Sequence, residues 1–227
     1  MHLSQVFRAV TALSFAFCCC SFGETVTNTF SVNQPIPDGQ LTGFSDTRVL
    51  SFENDQFTSI TDLEVTLNIA GGFNGDYYGY LVHDSGFSVL LNRSGRASTN
   101  SPGYNDTGFD ITLLDSASDL HFYRNSGFSV NGSGQLTGIW APDGRYANPG
   151  NVSENDASTS LLGSFDGLDP NGTWTLFLAD VDFGEQGTLV QWGLVISAIP
   201  EPSSAGLLAL GAVGLMVAAL RARRAKS

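Results

Sequence analysis

Asp62-Leu63-Glu64-Val65-Thr66-Leu67-Asn68-Ile69 decides the fold. Leu63, Val65, Leu67 and Ile69 fall on one side of an extended chain, and Asp62, Glu64, Thr66 and Asn68 on the other. That period of two belongs to a strand with one buried and one solvated face. The pattern recurs on both sides of the stretch. Phe109, Ile111 and Leu113 alternate with Asp110 and Thr112. Val190, Trp192, Leu194 and Ile196 form an apolar face within Thr188–Ile196, and Trp174–Ala179 is apolar on both faces, as a central strand should be. Thr47–Phe52, Tyr77–His83, Phe87–Asn92 and Gln135–Trp140 read as further strands. Turn signals separate them: Gly71-Gly72, Asn74-Gly75-Asp76, Asp84-Ser85-Gly86, Asn131-Gly132, Asp143-Gly144, Asp166-Gly167 and Asn171-Gly172. No helical periodicity precedes residue 203. The sequence predicts an all-β domain, a two-sheet sandwich or jelly roll, with long loops at 93–107 and 141–160.

Composition agrees. The chain has 227 residues, 26 of them glycine, and only 14% are charged. This suits one turn-rich extracellular β domain with short appendages. Charge is unevenly placed. Segment 24–202 holds five arginines, no lysine and all 22 acidic residues, an excess of 17 negative charges. Such a field repels nucleic acid and anionic lipid. The three cysteines are Cys18, Cys19 and Cys20, so the rest of the chain has no disulfide framework, Cys-based zinc site or cysteine nucleophile.

Both ends read as addresses. Residues 1–23 fit a secretory signal peptide: Arg8, the apolar run Ala9–Phe17, then Ser21-Phe22-Gly23 before a cleavage at Glu24. Ile199-Pro200-Glu201-Pro202 opens the other end, followed by an apolar transmembrane helix at 203–220 and a basic tail with Arg221, Arg223 and Arg224. Eighteen residues give about 27 Å of helix at ~1.5 Å each, barely a bilayer core. The basic cluster belongs on the cytoplasmic side. This tripartite end, residues 199–227, resembles the PEP-CTERM sorting signal. The resemblance implies an exosortase-type membrane protease as partner in a Gram-negative bacterium. A transient inner-membrane anchor would be followed by delivery to the cell surface or an exopolysaccharide matrix.

The middle, 24–198, also carries a resemblance. Leu161-Leu162-Gly163-Ser164-Phe165-Asp166-Gly167, Asn171-Gly172-Thr173-Trp174-Thr175-Leu176, Ala179-Asp180 and Gly187-Thr188-Leu189 through Trp192-Gly193-Leu194 look like the last hairpin of the P domain (Homo B domain). That domain follows the catalytic domain of kexin-like subtilisin proteases. Ile36-Pro37-Asp38, Gly75-Asp76, Asp84-Ser85-Gly86 and Tyr104-Asn105-Asp106 through Phe109-Asp110 support it. Gly71-Gly72 departs from it, standing where the family often carries a histidine, and Tyr77 replaces a leucine. The resemblance implies a galactose-binding-like β-sandwich.

Catalytic residues are not expected. His83 and His121 are the histidines that follow the signal segment, His121 within an expected strand. No Gly-x-Ser-x-Gly elbow is present. Acidic turns suit a hard cation better. Asp76, Asp106, Asp110 and Asp115 are the candidate Ca2+ ligands, with Asp180 and Asp182 in a second acidic turn. No cofactor is required. Phe73, Tyr77, Tyr78 and Tyr80, with Tyr104, Trp140 and Tyr146 near the long loops, offer rings for stacking on sugars. The expectation is a non-catalytic exported interaction module that meets extracellular polysaccharide or surface proteins. A carbohydrate-binding lectin-like protein is the alternative. An accessory domain serving a subtilisin-like protease in trans comes third.

Overall fold

The alternation over Asp62–Ile69 is the middle of a longer strand, Ser59–Gly71. The computed structural model describes residues 23–52 and 57–199, with helical residues 214–216, 218, 220, 221, 223 and 224. Ten strands run in chain order: β1 (Glu24–Pro35), β2 (Gln40–Leu50), β3 (Ser59–Gly71), β4 (Tyr77–His83), β5 (Gly86–Asn92), β6 (Gly108–Leu113), β7 (Ser129–Val130), β8 (Leu136–Trp140), β9 (Gly172–Asp180) and β10 (Gly187–Ile199). They form a six-stranded sheet, β1-β10-β3-β6-β8-β7, and a four-stranded sheet, β2-β9-β4-β5. Only β6 and β8 pair in parallel among these strands. Two short 3-10 turns, Leu120–Asn125 and Leu162–Phe165, are the helical pieces between residues 57 and 199.

Both inner faces supply one apolar core. Leu63, Val65, Leu67 and Ile69 of β3 and Trp192, Leu194 and Ile196 of β10 meet Trp174, Leu176 and Leu178 of β9, all essentially buried. The strand β9 is central, flanked by β2 and β4, but its outward Thr173, Thr175 and Phe177 stay partly exposed, so only its inner face is fully buried. Trp192 stacks at a tilt on Phe30, 4.8 Å between centroids, and its indole N–H donates to Asp46 Oδ2 at 2.7 Å. The all-β sandwich expected from the alternation is what the chain forms.

Three readings change. The first strand, β1, lies outside the expected set. Its inward Val26, Asn28, Phe30 and Val32 are only half-buried, as befits an edge, so its hydrophobic signal is weak. In β10 a bulge between Leu189 and Gln191 puts Leu189, not Val190, into the core. His121 sits in the first 3-10 turn and not in a strand. The Gly71-Gly72 pair also gains a reason. Both glycines have positive φ, 81° and 65°, and a Cβ on Gly72 would run into the Tyr77 ring. The Tyr77 hydroxyl donates to the Gly71 carbonyl at 2.8 Å.

All but Gly23 of the expected signal peptide 1–23 lies outside the described residues, as do Pro200, Glu201, Pro202 and most of 203–220. Arg221, Arg223 and Arg224 are helical and exposed. Among the described residues, no helix is long and apolar enough to cross a membrane.

Candidate functional site

The outer face of the four-stranded sheet carries an aromatic cluster. Alternation sends Tyr77, Gly79 and Leu81 of β4 inward and Tyr78, Tyr80 and Val82 outward. Register then brings partners from other strands. Tyr80 pairs with Phe177 of β9, and their rings stack at 4.7 Å and 15°. Val82 pairs with Phe87 of β5, whose ring lies 5.3 Å from Tyr80. Tyr78 is 5.9 Å from Tyr80 and 6.2 Å from Phe177.

The 141–160 loop completes the face. The Asp143 and Gly144 amides donate to the Leu90 and Val89 carbonyls, and the Val89 amide donates to Ser160, so the loop is laid along β5. This places Tyr146 edge-on to Phe87 at 5.5 Å, with 75% of it exposed. A cleft of about 370 Å³ lies here, lined by Leu41, Tyr78, Tyr80, Tyr146, Asn148 and Phe177 among others, none of them charged. Burial, then the neighbouring Tyr80 and Tyr146, push the pKa of the Tyr78 hydroxyl up, so it remains a neutral donor.

One end of the sandwich is instead rich in carboxylates. Asp180 pairs with Tyr77 in register and so points inward with it. It is 1% exposed and its Oδ1 has no hydrogen-bond partner. Burial first, then the charge of Asp76, push its pKa up to about 7. Asp76 rises to about 6, again from burial first, although the Arg93 guanidinium opposes the shift. Arg93 donates to Asp182 at 3.1 Å, stands 3.5 Å from Asp76, and donates through Nε to the Gly75 carbonyl at 2.8 Å. Asp38 accepts from the Gly184 amide at 3.1 Å.

The expected Ca2+ ligands are not brought together. Asp106 accepts from Tyr123 at 2.5 Å and from Arg124 at 2.9 Å. Asp110 faces outward on β6 and accepts from Asn68 at 3.3 Å. Asp115 caps the second 3-10 turn, accepting the Leu162 and Gly163 amides at 2.9 and 2.7 Å. Asp76 keeps company with Arg93 and Asp180. Each of the four therefore has a separate structural partner, and they do not fit one cation. Among the described residues, no group of three or more His, Cys, Asp or Glu side chains is arranged to hold a metal.

Both described histidines are locked. His83 stacks on Trp174 at 4.0 Å, and its ring nitrogens face the Thr173 and Asp169 carbonyls. His121 is fully buried between Asp143 Oδ2, 2.6 Å from Nδ1, and the Arg96 carbonyl, 2.9 Å from Nε2. Burial alone would lower its pKa. The hydrogen bond and charge of Asp143 outweigh that and hold it above the usual value. With both nitrogens facing acceptors, neither ring is free to take a proton from a nucleophile.

Of the aromatics singled out in the sequence, Tyr78, Tyr80 and Tyr146 share the outer face. Tyr77 and Trp140 are core, and Tyr104 packs on Tyr123 at 4.7 Å elsewhere. Phe73 lines a separate cleft of about 520 Å³ at the carboxylate end, with Asp76, Tyr104 and Arg124. Phe87 and Phe177 were missed. No local signal marks them, because only strand register carries them to the face.

The PEP-CTERM protein-sorting motif matches residues 198–224. No curated protein sequence matches the chain. Two crystal structures from Aeromonas sobria are similar in part. One is its serine protease with the chaperone ORF2, at 15% identity and TM-score 0.41, covering 78% of this chain and 27% of that one. The other is the serine protease itself, at 14% identity and TM-score 0.40, covering 77% and 27%. The present chain thus spans about a quarter of the length of those chains. The motif marks an exported, sorted protein processed by an exosortase, a membrane protease.

Proposed function

We propose that this chain is a non-catalytic interaction module of P-domain type, exported, held briefly at the inner membrane and then released to the cell surface or an exopolysaccharide matrix. One observation carries the reading: the sorting motif begins at residue 198, where β10 ends at Ile199. Cutting after that point leaves every strand of the sandwich on the released side. The folded domain is then cargo, and its outer surfaces are what reaches the outside. The non-catalytic part rests on the two histidines, whose ring nitrogens are all engaged by acceptors.

Mass spectrometry of the surface-delivered protein from its host tests the sorting. The expected product lacks the 203–220 segment and the basic tail. Recovery of an intact Arg221–Ser227 end on that mature protein overturns the reading. Deleting the host exosortase should leave the full-length form in the membrane fraction.

A further inference from the structure

We propose that the aromatic outer face of the four-stranded sheet binds an uncharged polysaccharide chain. This rests on the reading of the domain as a surface-delivered binding module and names its partner. Five rings from three strands and one loop form one connected array, Tyr78, Tyr80, Phe177, Phe87 and Tyr146. Tyr146 is exposed and the other four rings are half-buried, and the ring surface left in water costs solvation free energy that a core or a ligand would recover. The C–H faces of a pyranose ring are apolar and its rim is hydroxylated. A ring platform edged by tyrosine hydroxyls and the Asn148 amide offers both halves of that chemistry.

Charge selects among polymers. No charged side chain lines the cleft. The surrounding segment carries 17 excess negative charges. An anionic glycan would be repelled by that field and find no cation on the face to hold it. A basic peptide would be drawn to carboxylates, and those sit at the sandwich end around Asp76 and Asp182. A neutral chain is the occupant this face accommodates. The cleft is open, Tyr78, Tyr80 and Tyr146 line it, and with Phe87 beside it the rings follow one another in centroid steps of 5.3 to 5.9 Å from Tyr78 through Tyr80 and Phe87 to Tyr146. Such steps suit successive sugar units of an extended chain, whereas a single monosaccharide would cover one ring.

Affinity electrophoresis of the full chain in non-ionic detergent, through gels containing hydroxyethyl cellulose, laminarin or dextran, tests the proposal. Carboxymethyl cellulose serves as the anionic counterpart. At least one neutral polymer should retard the protein, and carboxymethyl cellulose should not. Tyr146→Ala, at a loop position 75% exposed, should weaken retardation roughly fivefold with an unchanged melting curve. Tyr78→Ala should also weaken retardation and guards against a local loop effect. No retardation by any neutral polymer overturns the proposal while leaving the sorting result untouched. So does equal retardation by the anionic polymer. Concentration-dependent dimerisation abolished by Tyr146→Ala, without glycan binding, assigns the face to a second copy of this chain and overturns it as well. Appearance of new reducing ends during retardation supports the binding site and overturns the non-catalytic reading.

Discussion

The two outer faces of this sandwich obey the same alternation and reach opposite surfaces. On the six-stranded sheet the outward positions are mostly polar, Thr29, Thr66, Asn68, Asp110, Thr112 and Gln191 with the exposed Ile139, bordering an open groove of about 430 Å³. Asn68 donates to Asp110 and accepts from Gln135 at 3.0 Å, so the polar groups satisfy one another or water. On the four-stranded sheet the same positions carry Tyr78, Tyr80, Phe87 and Phe177. A strand needs only its inward residues to fold. Outward residues are free to follow solubility or binding.

The strongest way to break the comparison is to show that the faces belong to separate folding units. Trp192 joins them, being fully buried in the core shared by both sheets. Trp192→Ala should cost about 3–5 kcal/mol. Denaturant unfolding followed by tyrosine fluorescence and by far-UV circular dichroism should shift together. Two separated transitions would make the sheets independent.

A smaller effect sits at the carboxylate end between the faces. Asp180 titrates near 7 in the folded chain against 3.8 for the ordinary group. The folded state therefore holds more protons across that window, and stability falls as pH rises from about 4 to about 7. Asp180→Asn should remove much of that slope and raise stability at pH 8 by on the order of 1 kcal/mol. A slope unchanged by the substitution would place the orphaned oxygen elsewhere in the balance. His121 adds to the same trend. Its folded pKa lies above 6.5, so its contribution is full below 6.5 and is lost as pH climbs through the folded value. His121→Gln should flatten melting temperature against pH above 6.5.

The smallest stability changes sharpen the contrast most. Thr66→Ala on the polar face and Tyr146→Ala on the aromatic loop should each alter stability by under about 0.5 kcal/mol. Only the second should change glycan retardation. If both do, the polar groove takes part in binding.

Legibility in the sequence followed locality. Tyr77–His83 and Phe109–Leu113 were readable because alternation is a property of neighbours. The turn at Asp84-Ser85 was readable too. It forms a two-residue hairpin in which Asp84 takes φ 49°, a region that aspartate tolerates better than most residues. β1 escaped because an edge strand needs little apolar surface. The aromatic face was half visible. Tyr78 and Tyr80 lie close together in the chain, but Phe177 joins them from almost a hundred positions away through register alone. The four aspartates failed as a group for the complementary reason. Spacing shows acidic turns, and only the fold shows that Arg124, Asn68 and backbone amides already hold three of them.

One consequence follows from where β10 lies. It runs between β1 and β3, antiparallel to both, and its last residues lead straight into the sorting segment. Glu24, where β1 begins, pairs with Ala198, so both ends of the domain emerge side by side. A pull on the sorting segment acts on β10 along its own axis. Ladder hydrogen bonds lie across that axis, so the load falls on both rows in shear, shared among many bonds, and does not peel them one at a time. The strand that connects the domain to the sorting segment is thus also placed to bear mechanical tension.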